Sequence, residues 1–359
     1  MDLYDRVLGC LSTAAMGDAL GAATEQWTTA EIYARYHGPI RTFHKPPLDT
    51  FAAMAGNEAG EVTDDASQML YLAQMIIETG GRVTEEAWIS CLLRWAAESP
   101  KAVNMGPSTR AVIEAVRAGR DPYKVNTVGQ SDRQTTHMGV TNGAAMRIAP
   151  VGLVHPGNPA AACRDAVVTC LPAHNTQRAV SAACALAAGV AHALTDDADV
   201  FSVVRACLDG ASLGEELAHH DARIRLVPGP RIEPRIELAA TLALKARSRE
   251  EAMGALESYI GNSVEISESV PTAIGLFVFA RGDPLESIVA GANIGNDTDT
   301  IAAMAGALAG ALRGFSRVPQ DLYAGFRAAN QFDLEGIARG LTEIAIRRRA
   351  AGIENRTRP

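Results

Sequence analysis

The sequence predicts an all-α fold, a single compact multi-helix domain. Three observations carry this reading. Apolar residues recur at helical spacing in one segment after another, alternation with a period of two is almost absent, and alanine is abundant nearly throughout. The chain has 359 residues, 47% of them hydrophobic and 21% charged, which is ample for a full core in a soluble protein.

The first helix is expected over 3–16, where Leu3, Val7, Leu8, Leu11, Ala14 and Ala15 share a face, with Gly17-Asp18-Ala19-Leu20-Gly21 ending it in a tight turn. Residues 26–60 are rich in Pro, Gly, His and aromatics without periodicity and read as a long loop. Helices follow near 64–79, 84–97 and 108–118. A polar run over 121–143 closes in Thr141-Asn142-Gly143-Ala144-Ala145-Met146-Arg147. Pro159 suits the first turn of a helix to about 170, and an Ala-rich helix spans 177–194 after the Pro172–Thr176 turn. Helices at 197–209, 236–247 and 249–258 flank a Pro-containing stretch at 219–235. Ser269 and Pro271 open another, and helices near 284–292, 298–313, 319–329 and 334–348 complete a domain of residues 1–348. Residues 349–359 read as a flexible C-terminal tail.

Two acidic turns point to chemistry. Around Gly295 a glycine-flanked turn delivers Asp297 and Asp299, and a small, apolar helix follows. Asp297 or Thr298 can cap that helix, with Asp299 and Thr300 in or beside its first turn. No Lys or Arg lies between Gly282 and Leu312 to relieve the two carboxylates. A hard divalent cation would relieve them, because Mg²⁺, Mn²⁺ and Ca²⁺ take carboxylate, hydroxyl and water oxygens. The plainer alternative is a well-capped helix with an exposed acidic turn. Thr63-Asp64-Asp65 repeats the pattern ahead of an amphipathic helix, more than 200 residues away. If the clusters meet at the centre of the domain, their four carboxylates suit two divalent ions.

Composition excludes several functions. A formal charge of -8 argues against nucleic-acid binding, which rests on clustered Lys and Arg. The longest apolar stretches, such as 179–194, do not approach an uninterrupted membrane span, and the N-terminus lacks the pattern of a signal peptide. Six cysteines without a C-x-x-C pair fit reduced, buried thiols in a cytoplasmic protein. A four-helix di-iron centre needs a Glu-x-x-His on each of two helices and the chain has one, Glu216 to His219, and no strand leads into a Gly-x-Gly-x-x-Gly helix.

The motifs together resemble a known family. Gly17-Asp18-Ala19-Leu20-Gly21 with Glu25, Thr63-Asp64-Asp65, Asn142–Arg147, His174 and Asp297–Thr300 occur in the order seen in the ADP-ribosylglycohydrolase family, over about residues 4 to 314. The resemblance implies a compact all-α fold with a central cleft holding a dinuclear Mg²⁺ or Mn²⁺ centre. Thr63, Asp64 and Asp65 match one set of ligands; Asp297, Asp299 and Thr300 match the other. Glu25 matches an acidic residue near the metals, with roles in positioning substrate or in catalysis. Asp65 and Asp299 are among the candidates to receive a proton from water. Two departures stand out: Asn296 and Ile301 replace a glycine and an asparagine of the family's last motif, and Ala66 replaces a threonine.

The implied substrate is an ADP-ribosylated protein, arginine-linked first, or a small ADP-ribosyl or ribosyl compound. A free nucleoside or small ribosylated metabolite is the alternative for the same centre. A non-catalytic ADP-ribose-binding or structural relative is the other reading, and retention of Glu25 and all six ligands argues against it. Asn142, Gly143, His174 and Asn296 are candidate substrate contacts. Asn142 and Gly143 could equally start a helix, and His174 could equally make a structural hydrogen bond. Arg147 is open between an ion pair and a substrate contact, and Asp18 between a turn-former and a support of the site. The expected state is a monomer or homodimer.

Overall fold

The computed structural model describes residues 2–357, with side chains through Ala350. Eighteen α-helices account for most of them: α1 (Leu3–Gly21), α2 (Thr29–Tyr36), α3 (Phe51–Met54), α4 (Asp64–Glu78), α5 (Glu85–Glu98), α6 (Pro107–Arg117), α7 (Gly143–Met146), α8 (Ala149–Leu153), α9 (Pro159–Cys170), α10 (Gln177–Ala193), α11 (Val200–His220), α12 (Ile232–Lys245), α13 (Arg249–Tyr259), α14 (Ile266–Phe279), α15 (Pro284–Asn293), α16 (Thr298–Arg313), α17 (Gln320–Ala329) and α18 (Leu334–Thr357). Among the described residues only isolated β-bridges occur, and no helix is long and apolar enough to cross a membrane. Thr84, Asn158, Thr176, Asp199, Ser248 and Asp283 start their helices by accepting a hydrogen bond from the third helical amide.

The axis of the domain is the antiparallel pair α1 and α16. Small residues recur every four positions on both: Gly9, Thr13, Gly17 and Gly21 face Gly310, Gly306, Ala302 and the Thr298–Asp299 turn. Residues four apart share a helix face, so each helix offers a groove lined by glycine and small side chains. A Cβ at Gly21 would lie 2.4 Å from the Asp299 Cα, and one at Gly17 would lie 2.5 Å from the Ala302 carbonyl oxygen. Each glycine costs a helix about 0.5–1 kcal/mol relative to alanine. Backbone contact offsets this, and it brings the end of α1 directly against the start of α16. One continuous core, rich in alanine along α10 and α16, surrounds the pair.

Four local expectations are corrected. Gly17–Gly21 is the last turn of α1, not a turn beyond it, because its glycines serve helix packing. The stretch 26–60 contains α2 and α3; α2 starts at a Thr28–Glu31 capping box and buries only Ile32, too little for a periodic signal. Pro271 lies inside α14 and does not open it. The carbonyl its ring leaves without an intrahelical donor, Ser267 O, accepts from Arg235 Nε at 2.6 Å. Finally, α18 runs to Thr357 instead of ending near 348, so the backbone of most of the expected tail is helical. Arg358 and Pro359 of that tail lie outside the described residues.

Candidate active site

Two helix N-termini and the end of a third helix converge. Asp297 occupies the N-cap position of α16 with Thr298, Asp299 and Thr300 in its first turn, and Thr63 caps α4, whose first residues are Asp64 and Asp65. Asp297 occupies its cap position without a side-chain capping bond, and its carboxylate is directed elsewhere. Glu25 follows α1 by four residues and is only 7% exposed. Single oxygens of Glu25, Asp297 and Asp299 lie within 4.8 Å of one another.

Asp18 locks the second cluster to the first. Its carboxylate accepts from the Thr63 amide at 3.0 and 3.1 Å and from the Ala66 amide at 2.9 Å. A side chain on α1 thus caps α4 from outside, satisfying amides that helix geometry leaves free. Its place in the last turn of α1 makes Asp18 a support of the site.

The turn before α16 is tied to Glu25 through backbone. Gln26 N donates to Asn296 O at 2.7 Å, and Asn296 N donates to Trp27 O at 2.8 Å. Asn296 sits at φ 61°, a left-handed conformation asparagine tolerates better than most residues, which explains how it can stand where a glycine is common. Its side chain is half-buried. The Thr298 hydroxyl donates to Gly21 O at 2.9 Å.

Among the described residues no Lys, Arg or His forms an ion pair with these acids. Their repulsion shows in their protonation. Burial first, then the charge of Asp299, raises Asp18, Glu25, Asp64, Asp65 and Asp297 above the ordinary carboxylate range. Asp299 itself is raised by burial, opposed by hydrogen bonds that include the Thr300 amide at 2.9 Å. One oxygen stands out: Asp65 Oδ1 is buried, and nothing among the described residues donates to it. A buried, oxygen-only donor set with an orphaned carboxylate oxygen and no counter-cation fits a hard divalent ion.

The remaining candidates lie on one side of this cluster. Asn142 donates through Nδ2 to Asp297 Oδ2 and, at 3.1 Å, to Ser269 Oγ. A Cβ at Gly143 would meet His174 Nε2 at 2.8 Å, so any side chain there would displace the His174 ring. His174 is 1% exposed, and its Nε2 lies 3.2 Å from Thr141 Oγ1. Burial and the nearby Arg147 hold His174 well below its ordinary pKa, so the ring is neutral. Arg147 is fully buried and its side-chain partners among the described residues are neutral groups, so the ion pair considered for it does not form there. Sequence reasoning missed Gln68, whose Nε2 donates to Asp64 Oδ2 at 3.0 Å. The available signal was its place four residues after Asp64 on one helix.

Comparison with known proteins supplies the family and the fold. The family model described as ADP-ribosylglycohydrolase matches residues 1–351. The Escherichia coli (strain K12) protein YegU is 32% identical over 351 residues, spanning 96% of this chain and 99% of its own. The ADP-ribosylarginine hydrolase Tri1 of Pseudomonas putida (strain GB-1) is 27% identical over 323 residues, 88% of this chain and 73% of its own. A solved structure titled ADP-ribosylglycohydrolase-related protein complex superposes with a TM-score of 0.62 at 22% identity, covering 96% of this chain and 99% of that one, and shows the same fold. With this match over nearly its whole length, the chain belongs to the ADP-ribosylglycohydrolase family and is by class a glycosidase.

Proposed function

We propose that the chain is a metal-dependent hydrolase that cleaves the bond between the anomeric carbon of ADP-ribose and an acceptor side chain, arginine first. The observation that carries this is the buried, unpaired carboxylate cluster with its orphaned Asp65 oxygen. Thr63, Asp64 and Asp65 on one side and Asp297, Asp299 and Thr300 on the other are the residues to hold two divalent cations, Mg²⁺ or Mn²⁺. Bound there, such ions supply Lewis-acid chemistry toward the ribose hydroxyls and toward water.

The chain's own groups fit the rest of the reaction. Positive charge develops at C1 as a glycosidic bond breaks, and an acidic centre stabilises it. Glu25, pushed up to about 10 in the metal-free chain by burial and by Asp299, Asp297 and Asp64, is the group beside the centre to orient the substrate or assist proton transfer. Asp65 and Asp299 are the candidates to take a proton from water. A guanidine departs well only as its cation, which these acids favour, and Tri1 carries an arginine linkage in its name. We read half-exposed Asn296 and the Gly143 backbone as substrate contacts, with Asn142 and His174 holding them in place. Six free, buried cysteines fit a reducing compartment, the cytoplasm.

The test is release of free ADP-ribose from arginine-linked and serine-linked ADP-ribosyl peptides, with Mg²⁺ or Mn²⁺ and with EDTA. Metal-dependent release from the arginine linkage is expected. Release from neither peptide by a protein that demonstrably binds Mn²⁺ would overturn the substrate assignment in favour of a small ribosylated metabolite.

A further inference from the structure

Among the described residues the buried Arg147 has no direct counter-ion, which is unusual enough to need a reason. An unpaired ion in a protein interior costs several kcal/mol. Its guanidinium lies 4.6 Å from the centre of the Trp88 ring, donates through Nη1 to Gln68 Oε1 at 3.0 Å and through Nη2 to Thr169 O at 3.2 Å, and its Nε has no partner. Burial lowers its pKa to about 10, and the carboxylates acting the other way are Asp64 and Asp65. Asp64 stands on the far side of one amide, that of Gln68.

That amide has only one possible orientation. A guanidinium donates and cannot accept, so the Gln68 oxygen must face Arg147. The Gln68 nitrogen is then forced toward Asp64, where it donates to Oδ2 at 3.0 Å. Arg147 acts as a lock on the amide, and the amide as a clamp on the carboxylate.

We infer that Gln68 is a positioning residue that holds one oxygen of Asp64, leaving the other to the cation, with Arg147 fixing the direction of the clamp. The inference rests on the reading of Asp64 as a metal ligand. Residues that hold a ligand in place are typically worth about 10- to 100-fold in metal affinity. The position of Gln68 on the same helix face as Asp64 makes the clamp rigid, since both share the backbone of α4.

The experiment is Mn²⁺ titration of the full chain, followed by electron paramagnetic resonance of the free ion. Parent, Asp64→Asn, Gln68→Met and the double variant are compared, with Gln68→Asn replacing Gln68→Met should the latter fail to fold. Gln68→Met is expected to weaken Mn²⁺ binding about 10-fold or more. In the double variant the loss is expected to equal that of Asp64→Asn alone, because a clamp acts only through what it holds. Losses that add would show general loosening and overturn the proposal. Parent affinity in the Gln68 variant, with binding lost in Asp64→Asn, would overturn it while the metal-centre reading stands. Parent affinity in Asp64→Asn would instead sink the metal-centre reading beneath it.

Discussion

Asp18 and Thr63 are 45 positions apart, yet the carboxylate of one receives the backbone amide of the other at 3.0 Å. That bond fixes the first acidic cluster relative to α1, and α1 is fixed to α16 by backbone contact, so both clusters share one rigid frame. Asp18→Ala leaves the Thr63 and Ala66 amides without their acceptor. Each buried amide left alone costs about 1–3 kcal/mol. The expected result, in urea unfolding with Mn²⁺ present to remove the offsetting loss of like-charge repulsion, is a destabilisation of that order together with weaker Mn²⁺ binding. Unchanged stability and affinity would show that α4 keeps its place without Asp18.

The α1–α16 contact predicts an unusually damaging alanine. Gly21→Ala places a Cβ 2.4 Å from the Asp299 Cα and nitrogen, both backbone atoms that cannot rotate away. Overpacking typically costs about 1–3 kcal/mol, and more where the neighbour is backbone. Loss of thermal stability should therefore come with loss of activity, since the atom struck belongs to the site. Gly254→Ala is the control, because nothing lies within 4 Å of a Cβ there. It should leave stability unchanged or raised by a few tenths of a kcal/mol up to about 1 kcal/mol.

The acidic cluster also predicts how the metal-free protein responds to pH. Burial and then Asp299 raise Asp18 to about 7 and Asp297 to about 8, so the folded chain binds protons that the unfolded chain has released. Stability therefore falls as pH rises, being fully present below the ordinary carboxylate range, near 4, and lost through the folded values. In EDTA the melting temperature is expected to drop between about pH 5 and about pH 9. Saturating Mn²⁺ should reverse the trend, because it binds the deprotonated ligands. A melting temperature in EDTA that climbs across this range would contradict the burial of the cluster.

Much of this was legible in the sequence because it is local. Helical spacing, cap residues and the two acidic turns are written within a few residues of one another, and each became a helix or helix start near the expected place. What stayed hidden depends on partners far away. Gly17–Gly21 carries turn residues, and only the presence of Ala302 and Asp299 against it explains a helix there. Pro271 marks a helix start by itself and becomes an interior residue because Arg235 takes the freed carbonyl. Gln68 and Arg147 are ordinary polar residues until the fold lays one against the other.

Glu25 and Asp297 should separate when mutated, although their carboxylates belong to one cluster. Asp297 opens α16 and is held by Asn142, so Asp297→Asn removes a charged oxygen where the donor set is densest. Mn²⁺ binding and activity should fall together. Glu25 stands on the segment after α1, joined to the Asp297 turn by the backbone bonds of Gln26 and Trp27 to Asn296 and by the Thr24 hydroxyl, which donates to Thr298 Oγ1 at 3.1 Å, and its side chain carries a raised pKa. Glu25→Gln keeps the shape and the hydrogen-bonding capacity but cannot exchange a proton. Proton transfer by a positioned group is typically worth about 10²- to 10⁴-fold. We expect kcat on ADP-ribosyl-arginine peptide to fall by about 100-fold or more on that basis, with Mn²⁺ affinity within a few-fold of the parent. The pairing of calorimetric Mn²⁺ binding with initial rates decides it. If Glu25→Gln loses the metal as Asp297→Asn does, Glu25 is a ligand; if it turns over at the parent rate, the proton is handled elsewhere in the cluster.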